Sequence, residues 1–126
     1  MARILIIDDD KELAHALKIA LEARGYTTYC AYNGEEGLNM AASLKPDLII
    51  LDVMMRTKDE GFQVSYRLKN HPELKEIPII MLTSVGRVTG FRFSTEDEDY
   101  LMADELLEKP VKPATLVEKI KALLKE

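Results

Sequence analysis

The sequence predicts an α/β domain built on a parallel sheet, and two observations lead there. Short runs that are uniformly apolar or of period near two alternate with segments whose apolar residues recur every three to four positions, the pattern of repeated βαβ units. Four of the apolar runs also end on a chemically useful side chain. Ile4-Leu5-Ile6-Ile7 leads into Asp8-Asp9-Asp10, and Leu48-Ile49-Ile50-Leu51 into Asp52. Ile79-Ile80-Met81-Leu82 leads into Thr83, and Leu106-Leu107-Glu108 into Lys109-Pro110. In an open parallel sheet, ligands bind outside the carboxyl ends of the strands. The four tips should therefore converge on one surface point carrying carboxylates, a hydroxyl and an ammonium.

The elements follow in chain order. The run ending at Asp8 is the first strand. Leu13, Ala16, Leu17, Ala20 and Leu21 form one helical stripe stopped by Gly25, which suits a left-handed residue past a helix end, so the first helix covers about Lys11 to Arg24. Tyr26 to Tyr32, rich in Thr and Tyr, reads as the second strand, and Asn33-Gly34 turns the chain into a helix carrying Leu38, Ala41, Ala42 and Leu44. Pro46 ends that helix. The third strand is Asp47 to Leu51. A helix from about Phe62 ends near Asn70-His71-Pro72, because the residue before a proline is pushed out of the helical region. The fourth strand is Ile77 to Leu82. The last helix opens at Pro113, a favoured first-turn residue, and keeps Leu116, Val117, Ile120, Leu123 and Leu124 on one face. Ser84 to Met102 resists this reading: Gly86 and Gly90 each cost about 1 kcal/mol in a helix interior, and Arg87 to Phe93 alternates as a strand does. An extended or loosely packed segment over 86–100, serving as or screening an output surface, is expected.

Composition bounds the function. A chain of 126 residues with 47% hydrophobic content reads as one domain over residues 1–126, able to bury roughly two-thirds of its unfolded surface. The single Cys30 excludes an internal disulfide. Arg3 followed by four apolar residues and three aspartates is no signal peptide. No apolar run approaches the roughly 20 residues that span a bilayer. A soluble cytoplasmic protein is expected. A net charge of −5 with scattered Lys and Arg argues against nucleic-acid binding by this domain.

Taken singly, each marked residue also has a plain structural role. An Asp between strand and helix is most often an N-cap, and that holds for any one of Asp8, Asp9 and Asp10. One cap needs one Asp, whereas three adjacent carboxylates repel one another unless a divalent cation with oxygen ligands relieves them. Asp52 can simply end its strand, Thr83 can cap a helix, and Lys109-Pro110 can be a turn, in which an X-Pro bond can be cis. Their coincidence at one sheet edge favours a site. His15 and His71 read as exposed helix and turn residues with no second ligand at metal spacing, Cys30 as a packing residue, and Glu96-Asp97-Glu98-Asp99 as a solvated loop.

Ile6-Ile7-Asp8-Asp9-Asp10, Leu51-Asp52-Val53-Met54-Met55, Thr83-Ser84 and Glu108-Lys109-Pro110, in this order and spacing, resemble the receiver domain of two-component response regulators over essentially the whole chain. The resemblance implies a flavodoxin-like (βα)5 fold with strand order 2-1-3-4-5. It also implies that Asp52 accepts a phosphoryl group, Asp9 ligates Mg²⁺, Asp8 holds it through water, and the backbone carbonyl of Met54 is a further ligand. Thr83 matches the switch hydroxyl and Lys109 the lysine that pairs with the phosphoryl group. The chemistry agrees: a carboxylate attacking phosphorus meets repulsion that a divalent cation and an ammonium neutralise.

The departures from the family pattern carry expectations too. Arg56-Thr57-Lys58-Asp59-Glu60 replaces the usual proline and glycine before Gly61, in a loop one residue longer. Leu106 stands where the family has a rotating aromatic. Met54 and Val85 match positions that in the family influence water attack on the acyl phosphate; both are apolar, so slow autodephosphorylation is expected. The expected function is that of a stand-alone receiver, no enzyme beyond its own phosphoryl transfer and slow dephosphorylation. It would take its phosphoryl group from a histidine kinase or histidine phosphotransfer protein and signal by docking a downstream protein partner, without contacting nucleic acid or membrane. Two alternatives stand beside it: a receiver-like interaction module that works without phosphorylation, and a haloacid-dehalogenase-like phosphohydrolase using Asp8-x-Asp10. The second lacks an acidic pair after Lys109 and room for a cap domain.

Overall fold

A computed structural model describes residues 2–53, 55, 60–83 and 103–126. Five strands, β1 (Arg3–Ile7), β2 (Thr27–Ala31), β3 (Leu48–Asp52), β4 (Ile79–Thr83) and β5 (Glu105–Glu108), form one sheet in the order β2-β1-β3-β4-β5. Every neighbouring pair is parallel. The described helices are α1 (Lys11–Glu22), α2 (Gly34–Leu44), α3 (Glu60–Lys69) and α4 (Pro113–Leu124). The expectations placed on Met54, Val85 and the 86–100 segment fall outside the described residues.

The uniformly apolar strands follow from a sheet covered on both faces. Ile4, Ile6, Leu48, Ile50, Ile80 and Leu82 point to one side and meet Ala14, Leu17 and Leu21 of α1 and Leu116, Val117 and Ile120 of α4. Their neighbours Leu5, Ile7, Ile49, Leu51, Ile79 and Met81 point to the other side and meet Ala41 of α2 and Val64 and Leu68 of α3. Strand alternation thus divides one apolar sequence between two cores.

Several helix and strand details differ from the sequence reading. Asp10 is the N-cap of α1, its carboxylate accepting from the Leu13 N–H at 3.1 Å. The helix stops at Glu22 rather than Arg24, and Gly25 takes φ 95° while the Tyr26 N–H reaches back to the Leu21 carbonyl. Its inward face is Ala14, Leu17 and Leu21, with Ala16 in solvent; alanine contributes so little burial that the larger residues set the rotation. In α2 the inward residues are Gly34, Gly37 and Ala41 while Ala42 is exposed. A Cβ on Gly37 would lie 2.6 Å from Ile7, so the absent side chain brings the helix against β1. Helix α3 begins at Glu60, two positions before Phe62. Strand β4 begins at Ile79, because Ile77 still bonds back to Leu74 in a turn.

Candidate functional site

All four strand tips do converge at the carboxyl edge. Asp8 follows β1 and is fixed twice, its backbone N–H donating to the Ala31 carbonyl at 3.0 Å and its Oδ1 accepting from the Asp10 N–H at 2.9 Å. Asp52 is the last residue of β3. Asp8 is only 1% exposed and Asp52 4%, whereas Asp9 faces solvent. Lys109, just past β5, donates from Nζ to Asp8 Oδ2 at 3.2 Å and stands 3.4 Å from Asp52 Oδ1. Its backbone N–H bonds the Thr83 carbonyl at 2.6 Å, which locks the β5 tip to the β4 tip, and the Lys109-Pro110 bond is cis.

Burial alone would lower the Lys109 pKa, but the Asp52 and Asp8 carboxylates outweigh it and hold the ammonium above the ordinary lysine value. One ammonium cannot balance three acids. Carboxylate oxygens of Asp8, Asp9 and Asp52 lie within 4.8 Å of one another, a hard-oxygen set with excess negative charge that suits a small divalent cation. Thr83, 3% exposed, ends β4, and its Oγ1 has no hydrogen-bond partner among the described residues. A buried hydroxyl left this way is available to an arriving acceptor.

Of the sequence-derived candidates, Asp8, Asp9, Asp52 and Lys109 are brought together and Thr83 ends the neighbouring strand, whereas Met54 falls outside the described residues. Leu106 lies opposite Met81 in the β4–β5 ladder and packs, half-buried, against the α2–α3 core. Two contributors escaped the sequence reading. Gly61 donates its N–H to the Val53 carbonyl at 2.9 Å and sits so tightly on the Asp52 carbonyl that a Cβ would collide with it. Glu60, assigned above to a loop, is buried and accepts from the Gly34 N–H at 2.7 Å. The remaining candidates keep their plain roles: His15 is exposed, His71 Nδ1 accepts from the Glu73 N–H, and burial pushes up the pKa of the Cys30 thiol, which lies 3.8 Å from the Ala14 carbonyl.

A doubly wound parallel sheet of this order, with acids and an ammonium at its carboxyl edge, defines a flavodoxin-like α/β domain with a polar, cation-attracting site. The chain belongs to the response regulator receiver domain family, which it matches over residues 4–121. It is 38% identical over 125 residues to the DNA-binding dual master transcriptional regulator RpaA of Synechocystis, covering 99% of this chain and 50% of that protein. The chain thus spans half the length of this relative. Among solved structures it resembles the signal receiver domain of a signal transduction histidine kinase from Syntrophus aciditrophicus, with TM-score 0.82, 34% identity and coverage of 99% of this chain and 91% of that one. It also resembles the chemotaxis protein CheY4 of Vibrio cholerae, with TM-score 0.83, 27% identity and coverage of 98% of each chain. Receiver domains work with histidine kinases. Among the described residues no helix is long and apolar enough to cross a membrane.

Proposed function

We propose that this receiver domain accepts a phosphoryl group on Asp52 from a histidine kinase or histidine phosphotransfer protein, in a Mg²⁺-dependent reaction that resets a protein-docking surface. The supporting observation is that two buried carboxylates, Asp8 and Asp52, share the Lys109 ammonium, with Asp9 completing an oxygen cluster. Asp8, Asp9 and Asp52 would hold the metal, joined by the Met54 carbonyl as the family resemblance implies. Bound there, Mg²⁺ supplies positive charge against the phosphoryl oxygens.

The chain's own residues account for the rest. An Asp52 oxygen forms the new P–O bond as the donor's P–N bond breaks, and the freed imidazole nitrogen regains a proton from solvent. Lys109 offsets negative charge that gathers beside Asp52. The product, an acyl phosphate, adds nearly two negative charges and new acceptors. These draw in the Thr83 hydroxyl, which has no hydrogen-bond partner among the described residues. The group stays on Asp52 and turnover is slow, so the protein is a switch rather than an enzyme. It works in the cytoplasm and signals by docking a downstream protein. A second reading, an interaction module that works without phosphoryl transfer, rests on Leu106 standing where the family's aromatic would couple to Thr83.

Labelling with acetyl phosphate and Mg²⁺, read by intact mass, separates the two. Gain of one phosphoryl group by the wild type and none by Asp52→Asn is expected; equal gain in both would overturn the acceptor assignment. Asp9→Ala should weaken Mg²⁺ binding, while Lys109→Ala should slow labelling and leave Mg²⁺ binding largely intact.

A further inference from the structure

We infer that Glu60 is a positioning residue for the phosphoacceptor site, its buried carboxylate tying the chain that returns from Asp52 to the N-terminus of α2. Glu60 is 9% exposed, and its Oε2 accepts from the Gly34 N–H at 2.7 Å. Gly34 opens α2, so this N–H is one of the helix's unpaired first-turn donors at its positive end. Asn33 caps the Glu36 N–H instead. The approach depends on Gly34 having no side chain, since a Cβ there would sit 2.8 Å from Glu60 Oε2.

The next residue transmits the position to the site. Gly61 donates to the Val53 carbonyl at 2.9 Å and rests on the Asp52 carbonyl with no room for a Cβ. The chain therefore leaves the acceptor at 52–53 and returns to the same point at 60–61. One turn further along the same inward face, α2 packs through Gly37 against Ile7, the residue before Asp8. The sheet ladder already sets β1 beside β3, so what Glu60 holds is the chain returning from Asp52 against the helix that packs on β1, and its loss would free that returning chain beside the Asp52 carbonyl.

This inference rests on Asp52 being the acceptor, and the test separates the two. Glu60→Ala, Glu60→Gln, Glu60→Asp and wild type are compared by calorimetric Mg²⁺ titration, acetyl-phosphate labelling and amide exchange at Gly61, with Asp52→Asn as the unlabelled reference. Glu60→Ala should lose about tenfold in Mg²⁺ affinity and labelling rate, the scale typical of groups that orient metal ligands, and its Gly61 amide should exchange faster. Glu60→Gln, whose amide oxygen still accepts from Gly34, should recover most of the loss. Glu60→Asp, one methylene short, should not, and serves in place of Glu60→Ala if that variant fails to fold. Wild-type affinity, labelling rate and exchange in folded Glu60→Ala or Glu60→Asp, with only a lower urea midpoint, would overturn the inference. If wild type takes no label, the acceptor reading fails while Mg²⁺ affinity and Gly61 exchange still decide the role of Glu60.

Discussion

Removing the negative charge of Asp52 should stabilise the metal-free protein even though it ends phosphoryl acceptance. With an effective dielectric of about 20, attraction to Lys109 at 3.4 Å is worth about 5 kcal/mol. Asp8 and Asp9, with oxygens within 4.8 Å, each repel by at least about 3.5 kcal/mol on the same scale. Asp9 is exposed, and screening removes roughly half of its share. Among these charged groups attraction and repulsion nearly cancel, and desolvation of a carboxylate only 4% exposed weighs against the charge. That penalty is nominally several kcal/mol and is reduced by relaxation. Asp52→Asn keeps the volume and an acceptor oxygen, and Lys109 retains Asp8 at 3.2 Å. A gain of about 1–2 kcal/mol follows for the variant in metal-free buffer. Mg²⁺ should reverse the order, because wild type offers three carboxylates to the cation and the variant two; each tenfold difference in saturation is worth about 1.4 kcal/mol. Urea unfolding in chelator and across a Mg²⁺ series measures both. A variant less stable than wild type in chelator, or a difference that does not move with Mg²⁺, would refute the charge reasoning.

Two further outcomes are expected. Tyr26 is held by burial and by its hydrogen bond to Glu126 at 2.9 Å, so its phenol pKa is pushed up to about 12. The native state keeps a proton the unfolded chain gives up near its ordinary value of 10.0, so stability present below that pH falls as pH rises towards 12. Tyr26→Phe should escape a loss of up to about 2 kcal/mol in that window, read as the wild-type-minus-variant difference in urea midpoint against pH; a pH-independent difference would count against it. Gly61→Ala should cost about 3 kcal/mol or more despite a helix-propensity gain near 1 kcal/mol, because the atoms in the way are the backbone of Asp52 and Val53. A urea midpoint equal to wild type would show that this backbone yields.

Much of the fold was legible because the sheet is buried on both faces. Ile4 to Ile7, Leu48 to Leu51 and Ile79 to Leu82 must be apolar at every position, and such runs stand out in a sequence. The site was legible for a related reason: a parallel sheet sends every strand's carboxyl end to one edge, so Asp8, Asp52, Thr83 and Lys109 had to be neighbours once the strands were recognised. The sequence pattern could not rank Asp8, Asp9 and Asp10. Three identical side chains in a row differ only in where the backbone points them, and tertiary structure made Asp10 the cap, buried Asp8 on Lys109 and left Asp9 in water. Small residues were equally silent. Ala14 faces the core and Ala16 does not, Gly37 and Ala41 face it and Ala42 does not, because a methyl or a hydrogen barely biases a helix's rotation and its larger neighbours decide. Glu60 was the deepest omission: a polar residue next to a glycine reads locally as loop, and only the approach of α2, whose Gly34 N–H needs an acceptor, turns it inward. The sequence by itself determined which chemistry gathers at the sheet edge, through strand polarity and end residues. Tertiary structure alone decided which carboxylate serves which neighbour, because that depends on distances between residues tens of positions apart in the chain.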